Sequence, residues 1–194
     1  MSKILRILYF PLSWILYILY ITTPESERKK LLMDLRRFRT VHYKDSGGNL
    51  GFWKIYKEFV GFEEFRSVFY LRVGNRRSKL IRWMFPARQF LLDFDCKSKD
   101  VGGGIFIQHG YCTDICVRSI GENVWINQKV TLGYQGDGCP TLGNNVHIGV
   151  GANIIGDVHI GNNVNIGAGA TVVKDVPDNT TVVGQPARYI PKER

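Results

Sequence analysis

The chain has 194 residues, a formal net charge of +9, and 44% hydrophobic against 22% charged residues. That size and composition suit one folded domain with a helper segment, and they exclude a disordered or collagen-like chain. The charge is lopsided: residues 1–100 carry 20 Lys/Arg against 10 Asp/Glu and residues 101–194 carry 6 against 7, so a uniformly basic, nucleic-acid-binding domain is excluded as well.

The first element is ILRILYFPLSWILYILYI, residues 4–21, with no charge between Ile7 and Thr23. It is at the short end for a bilayer span and Pro11 interrupts it. Cations flank it (Lys3, Arg6, Arg28, Lys29, Lys30), and Tyr9, Phe10, Trp14 and Tyr17 suit a lipid–water boundary. No small-residue cleavage site follows. Residues 1–23 are therefore expected to associate with a membrane as a peripheral or re-entrant anchor, placing the protein at the cytoplasmic face of the inner membrane. The alternative is a helix buried against its own domain or another subunit.

Residues 24–94 read as helical. Thr23-Pro24-Glu25 is a helix start, with threonine as a possible cap and proline at the first position. Leu31, Leu35 and Phe38 form one apolar stripe, Phe52, Ile55, Tyr56 and Phe59 a second, and Phe65, Phe69 and Arg72 share a third short helix; Gly47-Gly48 and Gly61 punctuate them.

From residue 101 the texture turns to glycine, asparagine, valine and isoleucine. Set in sixes from Ile120 the sequence reads IGENVW, INQKVT, LGYQ(GDGCP)T, LGNNVH, IGVGAN, IIGDVH, IGNNVN, IGAGAT, VVKDVP. The first position is always Ile, Leu or Val, and the fifth of every unbroken hexad is Val or Ala. These positions share a parity, so both point inward from an extended segment. One hexad cannot bury its own face and must stack on copies of itself. The period of six is thus one side of a three-sided parallel β-helix, assigned to residues 95–190, with 191–194 a tail.

Four cysteines (Cys96, Cys112, Cys116, Cys139) form no CxxC pair, and Cys112 and Cys116 lack partners at zinc-ligand spacing, so free thiols and no required metal are expected. Of the four histidines, His147 and His159 end their hexads, face outward and lie two prism sides apart, and His42 falls in a polar linker. His109, in IQHG, lies where the repeat is irregular and a loop can present a side chain. An imidazole there can take a proton from an alcohol near neutral pH.

Residues 101–190 resemble the hexapeptide-repeat acyltransferases, within them the serine acetyltransferase branch, through GGGIFIQHG (102–110), VTLG (130–133), the loop ending CP (139–140), IGAGATVVKDVP (166–177) and VGQPAR (183–188). The resemblance implies a left-handed coil, a homotrimer with active sites between subunits, and acetyl-coenzyme A as co-substrate. It implies His109 as catalytic base with Asp95 orienting it, although the interval between them is one residue short of the family pattern. It places Ala168, Lys174 and Arg188 on the cofactor, with Gly149 and Gly151 beside its pantetheine arm.

Two positions depart from the branch. Gln108 stands where an aspartate meets the amino acid, and Cys139 where a second histidine stands, in a shorter loop; both are expected at the acceptor. Losing an anion-pairing and a cation-pairing group together points to an acceptor with neither charge. The expectation is O-acetylation of a sugar or glycan precursor in cell-surface polysaccharide biosynthesis; serine O-acetylation is the alternative. A Cys139 nucleophile, a zinc-dependent carbonic anhydrase and a non-catalytic scaffold fit less well.

Overall fold

In the computed structural model, which describes residues 10–45, 50–74, 76–85, 92–96 and 100–184, the six-residue period builds three parallel sheets. Face A stacks β1 (Leu92–Asp95), β3 (Thr113–Cys116), β6 (Thr131–Gly133), β9 (Asn153–Ile155) and β12 (Thr171–Val172). Face B stacks β4 (Ser119–Ile120), β7 (Thr141–Leu142) and β10 (His159–Ile160). Face C stacks β2 (Phe106–Ile107), β5 (Trp125–Ile126), β8 (His147–Ile148), β11 (Asn165–Ile166) and β13 (Thr181–Val182). The chain visits A, B and C in turn, a parallel β-solenoid of about five coils.

The register confirms why first and fifth positions are apolar. Ile115, Leu132, Ile154 and Val172 stack in one column and Ile107, Ile126, Ile148 and Ile166 in another. Fifth-position Val124, Val130, Val146, Ala152, Val158, Val164 and Ala170 join them in the sealed core. The edge between faces B and C is locked by asparagine. Asn123, Asn145, Asn163 and Asn179 all hold the left-handed backbone conformation, and their amides chain from coil to coil at 3.4, 2.9 and 3.0 Å. Asparagine tolerates that conformation and adds a hydrogen bond that glycine cannot.

Among the described residues, five helices precede the coil: α1 (Phe10–Ile21), α2 (Glu25–Tyr43), α3 (Phe52–Gly61), α4 (Glu63–Val73) and α5 (Lys79–Met84). Leu31, Leu35, Phe38, Ile55, Phe59, Phe65 and Phe69 form their shared core. Thr23 does not cap α2; its hydroxyl donates to Leu19 O of the preceding helix at 2.7 Å. The helical layer lies on the first coil, where Phe106 points outward into a cage of Phe38, His42 and Trp125 rings.

The helical layer is joined to the coil by a buried charge pair. Arg72 donates to Asp34 (Nε to Oδ2, 2.8 Å) and to the carbonyls of Val101 and Gly102, while Asp34 Oδ1 accepts from the Ile105 N–H at 2.9 Å.

Of the segment expected at a membrane, residues 1–9 lie outside the described part. Among the described residues, no helix is long and apolar enough to cross a bilayer. Helix α1 has 12 residues; it buries Ser13 and Leu16 and exposes Trp14, Ile15, Tyr17, Ile18 and Ile21.

Candidate active site

His109 lies in the turn that carries the chain from face C to face A between the first and second coils. Its φ is 64° and that of Gly110 is 54°, so the backbone doubles back and leaves the imidazole exposed. Histidine is one of the few side chains that occupy the left-handed region with some frequency. Adjacent Gln108 is held in place: the Trp125 indole N–H donates to its Oε1 at 3.2 Å.

The same edge recurs one coil at a time as Asn127–Lys129, Gly149–Gly151 and Gly167–Gly169. Gly149, Gly151 and Ala168 thus line up below His109, and five of the expected site residues share one edge of the prism. A side chain on Gly149 would place its Cβ 2.6 Å from the Ala168 backbone nitrogen, so glycine there allows the coils to close. Gly151 has a φ of 70° and open space around it.

Asp95, Cys139 and Lys174 fall on the next edge, between faces A and B. Lys174 is exposed in the turn after β12. Cys139 closes the 134–140 turn, where Gln135 and Gly138 exchange backbone hydrogen bonds at 3.0 and 3.2 Å. Asp95 ends β1 in register with Cys116 and accepts from its thiol at 3.9 Å; no hydrogen bond joins it to His109. Face A separates the two groups by the length of β3, roughly 10 Å at the usual rise per residue. Arg188 lies outside the described residues.

His42 is a further candidate that the sequence reading missed. It is not in a linker but in the last turn of α2, its ring centroid 4.3 Å from Phe38, 4.9 Å from Phe62 and 5.6 Å from Phe106. Burial holds its pKa below the ordinary imidazole value, against the opposing pull of Glu64 and Glu58, and the charge of His109 adds to the lowering. The two imidazoles therefore sit within electrostatic reach of one another. Asp114, the exposed second residue of β3, stands at the same end of face A.

His147 is exposed but not simply solvated. Its ring stands edge-on to Trp125 at 5.3 Å and 3.4 Å from the Asn127 amide. His159 lies on face B, so the two do not stack. Among the described residues no three His, Cys, Asp or Glu side chains converge as metal ligands.

Residues 140–174 match the family described as bacterial transferase hexapeptide (six repeats). The chain is 41% identical over 143 residues to a probable serine acetyltransferase 4 of Oryza sativa subsp. japonica, covering 70% of this chain and 44% of that protein. Its fold superposes on the serine acetyltransferase of Neisseria gonorrhoeae, solved with serine, at a TM-score of 0.64 and 28% identity over 90% of this chain and 73% of that one. It also superposes on the serine acetyltransferase of Brucella abortus strain S19, solved with coenzyme A, at 0.58 and 25% identity over 82% and 66%.

The chain is similar to serine acetyltransferases of the hexapeptide-repeat superfamily. It spans about half the length of the curated relatives it matches. The expected sugar or glycan acceptor is overturned by these matches, which are serine acetyltransferases in sequence and structure alike. Gln108 and Cys139 alone do not define the acceptor. The folded edge also presents Asp114 and, across Phe106, His42.

Proposed function

We propose that the protein is an acetyl-coenzyme A-dependent serine O-acetyltransferase. The observation that carries this reading is the exposed His109 at the head of a glycine-lined edge, in a chain whose relatives are serine acetyltransferases. In the proposed reaction His109 accepts the proton of the serine hydroxyl as that oxygen attacks the thioester carbon. The tetrahedral oxyanion collapses, the C–S bond breaks, and the imidazolium returns its proton to the departing thiolate. O-acetylserine and coenzyme A are the products. Gly149, Gly151 and Ala168 offer backbone along which a pantetheine arm can run, and Gln108, fixed by Trp125, faces the acceptor. Both substrates held on one edge need no diffusional encounter at the chemical step.

We further propose a homotrimer. The resemblance implies active sites between subunits, and the division of the expected residues between two edges of one prism supports it. Packing one copy's face A edge against a neighbour brings the Lys174 and Cys139 edge opposite a His109 edge.

A peripheral membrane contact is proposed for α1. Its exposed Trp14, Ile15 and Ile18 adjoin a groove of about 360 Å³ lined by Ser13, Trp14, Tyr17, Phe52 and Trp53. Cations stand at its C-terminal end, where Arg28 lies over the Tyr20 ring at 5.9 Å and Arg77 donates to the Thr22 hydroxyl. Such a surface suits anionic lipid. Flotation with phosphatidylglycerol vesicles, lost on Trp14→Asp, is the expected result; no flotation of the wild type would exclude it.

The deciding assay for activity follows thiol release from acetyl-coenzyme A with L-serine as acceptor. Turnover with L-serine supports the reading; release with sugar acceptors alone, or none with serine, would overturn it.

A further inference from the structure

Cys116 ends β3 and Cys139 closes the 134–140 turn one coil later, and their sulfurs lie 3.8 Å apart. Their separation of 23 residues is one 18-residue coil plus the five-residue insertion GDGCP. The backbones run side by side here: the Arg118 N–H donates to Pro140 O at 2.9 Å, and Ser119 is in register with Thr141. With adjacent strands ~4.8 Å apart and a one-residue stagger, the two Cα atoms lie about 6 Å apart, within the span of a disulfide. Burial, with Cys139 and then Asp95 as further causes, pushes the Cys116 thiol up to about 11. Cys116 therefore stays protonated, and of these two partly exposed thiols Cys139 is the one that reacts first with a small oxidant.

We propose that Cys116 and Cys139 are a modification site that closes to a reversible disulfide on reaction with a hydroperoxide. The Cys139 thiolate attacks one peroxide oxygen, giving Cys139 sulfenic acid and, after protonation, water (alcohol from an organic hydroperoxide). Cys116 sulfur then displaces the sulfenic hydroxyl, its own proton leaves with that oxygen as water, and the S–S bond forms. Two thiols are oxidised by two electrons and one peroxide is reduced. Closure ties the 134–140 turn to β3 and moves Cys139 away from any acceptor. That last consequence, but not the bond itself, rests on the serine acetyltransferase reading.

The test treats the full chain with stoichiometric hydrogen peroxide, alkylates the remaining thiols, and maps peptides without reduction. A 116–139 linked peptide, absent from Cys116→Ser and reversed by dithiothreitol, is expected. A Cys139 sulfinic acid without cross-link, or a bond from Cys116 to Cys96, would overturn the proposal. In the serine assay, oxidation should move the KM for serine by about threefold or more in the wild type, and dithiothreitol should restore it. Oxidised wild type that is cross-linked yet keeps its KM would overturn the consequence for the turn. If serine is not turned over at all, the peptide map still decides the bond.

Discussion

The Arg72 guanidinium meets the Asp34 carboxylate at 2.8 Å across 38 residues of sequence, with 0% and 1% of the two side chains exposed. Together they bond three backbone groups of the first coil, at Val101, Gly102 and Ile105. Removing one partner leaves a buried charge and unpaired backbone groups. Arg72→Met is expected to cost roughly 3–5 kcal/mol, read as a lowered urea midpoint, with the helical layer losing its near-ultraviolet signal before the coil melts. A change under about 1 kcal/mol would place the pair among exposed, weak bridges.

Gly149 and Gly151 make contrasting demands. Gly149→Ala drives a methyl to 2.6 Å from Ala168 N, backbone that cannot swing aside, and should cost about 1–3 kcal/mol. Gly151→Ala meets open space and only the left-handed conformation, costing about 1–2 kcal/mol. Thermal melts of the two variants check the order, and activity should fall further in Gly149→Ala because that position touches the proposed cofactor path.

His147 gives a pH signature. Burial first, and Arg37 second, hold its pKa below the ordinary 6.5. As pH falls the unfolded chain binds this proton before the folded one, so stability drops from about pH 6.5 and levels off below the folded-state value. His147→Asn should therefore flatten the fall in Tm between about pH 7 and 5. An unchanged slope would show that the ring is free to protonate in place.

The coil was legible because every hexad meets the same surroundings, so one spacing rule names each inward residue from Ile120 to Val176. Even the grouping of the site lay within reach of counting, since Lys174 is six residues past Ala168 and so belongs to the next edge. Long-range partners were not legible. Nothing local to FRTVHY puts His42 against Phe106, because helix α2 meets the first coil only after the chain has returned through the helices that follow it. Arg72 reads as one residue of an apolar helix stripe until Asp34 is set opposite it. The acceptor was misread for the same reason: two substitutions in sequence do not show which other charges the fold supplies.

In the proposed reaction everything turns on His109 taking the serine proton. The most direct measurement is kcat for serine-dependent thiol release by His109→Asn, which keeps a residue suited to the left-handed turn, beside coenzyme A binding by the same variant. A fall of roughly 10²–10⁴ in kcat with coenzyme A affinity intact is expected. A variant turning over within a fewfold of the wild type would contradict it.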